Sequence, residues 1–482
     1  MGKQDSITRS MIYKSLERYS LLVIQTVVSI VIARILSPSD YGIVAMMTVF
    51  ISIASIFINS GFNMALVQRK NADSGDYNTA LIINIGIGLF FYIVLFFASP
   101  SIASFYNEPS ITSTLRVLAL VLPLGAISSI QTAIATREMR FKVMMMANLI
   151  GGIISGAIGI TLALLGYGVW ALIVQQLTSV VCITITMAFI LPFKFELRYK
   201  AEGARAMFAF GWKLLVAGLI NQIYNELNSL IIGKKYLSSD LAFYNKGKSF
   251  PSVVTTGIDG AVSTVSFAAL SRKQEDRGYM ISLMQKTLIA NSYLLFFALC
   301  LLAMSAEALT SVLLTDKWLP MVPYLQICCF TFAFHPMASL DVQAIAAIGR
   351  SDLRLKLEFI KKPIGILLLI LAIPYGPIAI ALSAAATSII SLLVGSIACE
   401  KTIGYSVGNH FKDILPIILV SSGTCVLMFL LRIFSFSPFV MLILQLIVGA
   451  AIYILLSAIF KLEGYIYLKE KFFAFLSNRF KK

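Results

Sequence analysis

Eight ionisable side chains stand where ionisable side chains are expensive. Arg18, Arg116, Lys213, Lys246 and Lys248, with Glu226, Asp259 and Asp341, lie inside or beside long apolar runs. A charge at the middle of a bilayer costs about 2.5–3.5 kcal/mol on insertion scales, so each must meet a partner or a wet cavity. The long cations have a second option. As helix-end residues they can reach the headgroup layer, and this reading suits Arg116 best. Asp259 and Asp341 are too short for that, and a wet interior is the expectation for both.

Around these charges, smaller polar residues recur at helical spacing. Thr48, Ser52, Ser55, Asn59 and Asn63 form one stripe. Lys248, Ser252, Thr255, Asp259 and Ser263 form another on the same register. Spacings of three and four put each set on one helix face. Lys213, Asn221, Asn225 and Asn228 make a third face, His335, Ser339 and Gln343 a fourth, and Arg18, Gln25 and Ser29 a fifth. Ordinary Ser/Thr packing between membrane helices would produce weaker stripes, without Lys248 and Asp259 in them. Lys248 and Asp259 are about 16 Å apart along one helix and cannot pair. Lys213 or Arg18 is the expected partner of Asp259.

Cations beside amides and hydroxyls suit a ligand with phosphates and sugars. Phosphate is met by Arg and Lys, and sugar hydroxyls by Asn, Gln, Ser and Thr. The residue types therefore point to an amphiphilic, anionic, glycosylated cargo. They do not point to an enzyme. The chain has only two histidines, His335 and His410, and contains no phosphate loop, zinc-binding helix motif or nucleophile elbow. No cofactor is expected. Its six cysteines follow no metal or redox spacing and read as small buried side chains. His335 reads as a satisfied buried histidine, with a proton-linked switch as the alternative.

The elements that must position these residues are membrane spans. The chain has 482 residues, 58% hydrophobic and 13% charged, with a mean hydropathy of +0.87. Soluble domains carry roughly a quarter charged residues, so this is an all-α integral membrane protein. Fourteen spans are expected: roughly 12–35, 40–66, 79–104, 112–136, 142–165, 169–192, 208–233, 240–269, 280–306, 320–347, 355–374, 376–399, 413–433 and 437–460. Leu165-Gly-Tyr-Gly168 and Pro374-Tyr-Gly-Pro377 mark tight turns between neighbours. The net charge of +16 belongs to short loops and is no nucleic-acid signature. With a cytoplasmic N-terminus, roughly 29 Lys and Arg fall inside and 5 outside, which places both termini in the cytoplasm.

The chain also repeats. Residues 30–70 and 230–273 align, with Arg34 on Lys234, Ser39-Asp40 on Ser239-Asp240 and Phe50 on Phe250. Farther on, Pro123, Gln131 and Arg137 match Pro336, Gln343 and Arg350. Spans 1–6 and 7–12 are thus expected as two pseudo-twofold six-helix lobes around a central cavity, with two extra C-terminal helices. The expected boundaries are 1–200, 201–405, 406–460 and a basic tail over 461–482. Six is even, so the repeat is parallel, as in many transporters. The basic segment 193–205 is the expected hinge region.

Several of these stretches resemble the polysaccharide flippases of the multidrug/oligosaccharidyl-lipid/polysaccharide exporter superfamily, the Wzx type. They are Ala33-Arg-Ile-Leu-Ser-Pro-Ser-Asp-Tyr-Gly42, Asn225-Glu-Leu-Asn-Ser-Leu-Ile-Ile-Gly-Lys234, Phe243-Tyr-Asn-Lys246, Ser266-Phe-Ala-Ala-Leu-Ser271 and Thr315-Asp-Lys-Trp-Leu-Pro320. The similarity runs in order along the whole chain. It implies fourteen helices in two lobes. It also implies movement of an undecaprenyl-diphosphate-linked oligosaccharide from the inner to the outer leaflet of a bacterial cytoplasmic membrane. Alternating access coupled to H+ or Na+ would drive it, with membrane lipids and a pathway polymerase or ligase as further partners. Many relatives resemble Asn-x-x-Asp where this chain has Asn225 and Asn228, so the coupling carboxylate must lie elsewhere.

The expected cargo contacts are Arg18, Gln25, Asn59, Lys213, Asn225, Asn228 and Lys248, and the expected coupling residues Asp259, Glu226 and Asp341. A cation or drug antiporter of the same superfamily would want a carboxylate-rich cavity and twelve spans. A membrane-embedded polymerase or ligase would want a large outer loop, and every expected outer loop is short. A scaffold in an assembly complex would leave the polar stripes without a purpose.

Overall fold

Long apolar segments bounded by turn signals satisfy every backbone group in a bilayer when they are helices. The computed structural model describes residues 20–59, 66, 73–191, 199–272, 275–434 and 436–470. Helix dominates them and no strand occurs among them. Arg18, Asn63, Arg69, Lys70, Lys273 and residues 193–198 of the expected hinge lie outside the described residues.

The chain divides into two compact units, Met1–Ala242 and Phe243–Lys482. The first contains α1 (Ser20–Ile35), α2 (Pro38–Asn59), α3 (Ser74–Tyr106), α4 (Ile111–Leu118), α5 (Val121–Arg137), α6 (Phe141–Leu164), α7 (Val169–Ile190), α8 (Ala201–Lys235) and the first turn of α9 (Ser238–Arg272). The second contains the rest of α9, then α10 (Arg277–Met304), α11 (Ala306–Leu313), a 3-10 turn (Asp316–Met321), α12 (Val322–Ala333) and α13 (His335–Ala347). It ends with α14 (Ser351–Ala372), α15 (Pro377–Thr402), α16 (Val407–Leu430) and α17 (Pro438–Ile459).

Helix occupies some or most of each of the fourteen expected spans. Ten segments among the described residues are long and apolar enough to cross a bilayer, or eleven with α8, which bends by 47° between Ala209 and Gly211. The described part of α1 is short, and α9 and α14 carry the polar and charged residues that make them interesting. Among the described residues, length and composition alone therefore give ten or eleven spans.

The repeat is visible in local structure. At the start of α2, Asp40 accepts from the Ser37 amide at 3.0 Å and the Ser37 hydroxyl at 2.6 Å. At the start of α9, Asp240 accepts from the Leu237 amide at 3.2 Å. A carboxylate three residues into a helix takes one of the amides that the helix leaves unbonded. The repeated Ser-Asp pair is thus a helix-start device. The fourth and tenth spans are both broken, between α4 and α5 and between α12 and α13. Pro123 and Pro336 sit just past the breaks, where a missing N–H cannot hold the preceding turn.

Small residues set the close contacts. A Cβ on Gly42 would stand 1.8 Å from the Ser238 carbonyl oxygen, and the Ser39 and Ser238 hydroxyls bond at 2.8 Å. The turn between α6 and α7 uses Gly166 at φ 83°, where a side chain would be strained. On the loop before α3, Asp73 caps the helix in a capping box with Asp76 and pairs with Lys200. The Lys200 ammonium holds its carboxyl below the usual carboxylate range.

Arg116, half-buried on α4, packs against α3. Its Nε donates to the Phe96 carbonyl at 3.3 Å and meets the Ser99 hydroxyl at 3.0 Å, and its guanidinium lies 4.5 Å over the Phe96 ring. Pro100 has no N–H to give the Phe96 carbonyl of α3, and the Ser99 hydroxyl donates to it instead at 2.8 Å. Arg116 binds both of these groups and so ties α4 to α3.

Gly42→Val should cut the yield of monodisperse protein several-fold, because the clash is with backbone and exceeds the roughly 1–3 kcal/mol of an ordinary overpacked site. Gly86→Val, with nothing within 4 Å of its Cβ, should leave it unchanged. Equal yields of the two variants on size-exclusion chromatography would refute the close approach.

Candidate functional site

In the second unit, α9, α10 and α13 converge on one carboxylate. Asp259 is buried at 8% exposure. Its Oδ1 accepts from Asn291 Nδ2 at 2.8 Å, and its Oδ2 accepts from the Ser339 hydroxyl at 3.2 Å. His335 Nδ1 stands 3.5 Å from the same Oδ2. These three partners all come from α10 and α13 of the same unit; Arg18, one of the two expected partners, lies outside the described residues. The reason is geometric: His335 and Ser339 are one helical turn apart on α13, so both face the turn of α9 that carries Asp259. His335 follows the break at Phe334 and is about half exposed, and so is not a buried histidine.

One turn farther along, Gln343 Nε2 donates to the Ser263 hydroxyl at 2.6 Å and to Ser339 at 2.9 Å. The stripes Asp259–Ser263 on α9 and His335–Ser339–Gln343 on α13 therefore face each other. Between them lies a cavity of about 10 Å³, bordered by Asp259, Ser263, Ser266, Thr287, Asn291 and Gln343. That is the space of about one water or one small ion. The Oδ1 of Asn291 and the Oε1 of Gln343 are buried and accept no hydrogen bond among the described residues. A buried acceptor left without a donor costs about 1–3 kcal/mol. Two such oxygens beside a carboxylate favour a positive charge.

Asp341 lies on the same helix as Ser339 but belongs to another environment. It is fully buried, bonds His410 Nε2 at 2.8 Å and the Ser396 hydroxyl at 2.8 Å, and is not in a wet interior. Two residues along a helix turn a side chain by about 200°, which separates it from the Asp259 face. The partner that makes the dry site workable, His410, is distant in sequence.

The remaining expected residues are distributed between the units. In the first, Glu226 on α8 accepts from Gln222 at 2.8 Å and from Ser52 of the α2 stripe at 3.1 Å. Asn225 is exposed and Asn228 half-buried. Lys213 is exposed, with its ammonium 6.0 Å from the Trp212 ring. Gln25 and Asn59 are exposed on α1 and at the end of α2. In the second unit, Lys248 is half-buried with its ammonium 6.0 Å from the Tyr244 ring, and Lys246 is buried 5.8 Å from the Trp318 ring. Arg18 lies outside the described residues. Each of these three ammonium groups thus lies within 6.0 Å of an aromatic ring, which attracts a cation without neutralising it.

Sequence reasoning missed Asn291. It lies in a strongly apolar stretch of α10 with no companion stripe, and its only signal is an amide in the middle of a span. The first unit has a neutral counterpart. Asn84 of α3 donates to the Ile58 carbonyl at 3.3 Å and meets the Ser129 hydroxyl at 3.2 Å. Gln131 donates to the Thr184 carbonyl at 3.2 Å. A cavity of about 350 Å³ beside Gln131 is otherwise lined by Leu81, Ile85, Ile127, Ile130, Ala188 and Leu191, which suits an apolar chain rather than an ion.

With this geometry, the chain is similar to several known proteins. The teichuronic acid biosynthesis protein TuaB of Bacillus subtilis (strain 168) is 22% identical over 391 residues, 78% of either chain. Among solved structures, the lipid II flippase MurJ in an inward closed conformation superposes with a TM-score of 0.76 at 16% identity, over 93% of this chain and 98% of that one. An inward-facing multidrug resistance MATE family transporter superposes with a TM-score of 0.61 at 16% identity, over 80% of this chain and 99% of that one. The fold is therefore the one these two structures share. A family model described as polysaccharide biosynthesis protein matches residues 31–323, more than half of the chain, and the chain belongs to that family.

Proposed function

We propose that this protein moves an undecaprenyl-diphosphate-linked oligosaccharide from the inner to the outer leaflet of a bacterial cytoplasmic membrane, for exopolysaccharide, O-antigen or capsule synthesis. The family match over residues 31–323 carries this reading. The excess of Lys and Arg on one side supports cytoplasmic termini. The work is transport, coupled to the entry of H+ or Na+, with membrane lipids around it and a polymerase or ligase of the same pathway downstream.

The polar faces supply the two recognition tasks. Lys248 and Lys213, with Arg18, meet the diphosphate or acidic sugars; Gln25, Asn59, Asn225 and Asn228 meet hydroxyls. A lysine ammonium packed on an aromatic ring stays available to an incoming phosphate, because the ring offers no hydrogen-bond acceptor to compete for it.

Asp259 is the coupling residue, with Glu226 second. The Asp259 cavity has the acceptors for one small cation: a carboxylate, two amide oxygens and serine hydroxyls. An ion that binds there in one conformation and not in another shifts the equilibrium by its differential affinity alone. Asp341, locked onto His410, has no free oxygen to offer and is the weakest of the three. A drug antiporter remains the alternative reading, supported by the MATE-like fold and not by the family match.

Two substitutions test the assignment in membranes carrying labelled lipid-linked saccharide. Lys248→Ala should reduce appearance of the saccharide on the outer face by at least tenfold at unchanged protein amount; normal export would remove Lys248 from the path. Asp259→Asn should retain slow movement yet lose its response to an imposed H+ or Na+ gradient, a loss on the order of 5- to 150-fold. An unaltered gradient response would sink the coupling role.

A further inference from the structure

A second buried cluster in the second unit lies apart from the Asp259 cavity. Asp341 of α13, Cys399 of α15 and His410 of α16 are all fully buried. One donor atom from each, a carboxylate oxygen, the thiol sulfur and an imidazole nitrogen, lies within 4.8 Å of the others. The three residues are distant in sequence, and no spacing motif announces them.

The hydrogen bonds around His410 fix what the cluster lacks. His410 Nδ1 is 2.9 Å from the Ser406 carbonyl oxygen. A carbonyl only accepts, so Nδ1 carries the proton and donates. In the neutral ring, Nε2 then presents a lone pair, and it presents it to Asp341 Oδ1 at 2.8 Å. Two lone pairs at that distance repel, so a positive charge must stand between them. Either an extra proton or a metal ion answers the requirement.

The surroundings favour a metal. A ligating histidine characteristically donates its other N–H to a backbone carbonyl or carboxylate, as His410 does to Ser406. The second oxygen of Asp341 accepts from the Ser396 hydroxyl at 2.8 Å, an orienting bond of the same kind. The Tyr405 ring covers the imidazole at 3.9 Å between centroids, and its hydroxyl donates to Asp413 at 2.6 Å. Lys361 of α14 stands nearby: its Nζ and Asp341 Oδ2 lie 3.5 and 3.7 Å from where a Cβ on Gly395 would be. A thiolate and a carboxylate neutralise a divalent ion, and Lys361 balances the carboxylate in its absence.

We propose that Asp341, Cys399 and His410 bind one divalent ion of the zinc class. Sulfur, nitrogen and oxygen together suit tetrahedral Zn2+ and not Mg2+ or Ca2+, which take oxygen alone. Ligand separations in such a site are about 3.5 Å, reached by opening the His410–Asp341 pair and drawing in the Cys399 sulfur. Binding replaces both the thiol proton and the proton shared by His410 and Asp341, so each M2+ bound releases two H+ to solvent. The ion would tie α16 to α13 and α15. This inference does not depend on the transport reading.

The full-length protein, purified in detergent without chelator and then equilibrated with zinc, tests it. About one zinc per chain should remain after desalting, and His410→Ala and Cys399→Ser should lose it. Loading wild-type protein with Co2+ should give a sulfur-to-cobalt charge-transfer band, which reports the site even where a variant fails to fold. A wild-type protein that retains less than a tenth of an equivalent of zinc and shows no such band overturns the metal site and leaves the shared proton. Zinc retained equally by folded His410→Ala and Cys399→Ser also overturns it.

Discussion

A hydrogen-bonding or charged group within a bilayer must be met by the protein, because the lipid meets none of them. That constraint organises this molecule. Asp259 is met by an amide, a hydroxyl and an imidazole. Asp341 is met by a histidine and a serine. Arg116 is met by the Phe96 carbonyl and the Ser99 hydroxyl. Each solution requires helices to approach at a fixed rotation, so the expensive residues also specify the packing. The apolar side chains around them fill space and would tolerate exchange.

The constraint also explains why the repeat persists where it does. The two halves keep the Ser-Asp start of α2 and α9 and the proline after the break in spans four and ten. Both handle backbone amides or carbonyls that a helix end leaves unbonded. Most of the apolar surface has diverged between the halves, since lipid-facing positions ask only for hydrophobicity. The features that survive a doubling are those with a hydrogen bond to satisfy.

This division marks what the sequence could disclose. Helical segments were legible because a span is an apolar run of fixed length, and the stripes on α9 and α13 were legible because a face is a period. Partners were not. Nothing in the chain says that Asp259 faces His335, since register between helices is set by packing and not by local pattern. Asp341 was misplaced for the same reason: its relation to His410 passes through three helices. Asn291 was invisible as a lone amide. Arg116 looked like a helix-end cation because its partners, Phe96 and Ser99, lie on the neighbouring helix.

The two units differ at one chemically decisive point. At the position of Asp259 the first unit has Asn59, while each unit uses two buried amides as donors: Asn84 and Gln131 donate to backbone carbonyls and a serine, Asn291 and Gln343 to Asp259 and serines. A neutral network like that of the first unit holds helices together at any ion concentration. A network with a carboxylate does not, because its free energy depends on whether a cation occupies the gap. On the proposed coupling, this one asparagine-to-aspartate difference between the repeats is what lets the Asp259 site respond to an ion while the Asn59 position does not.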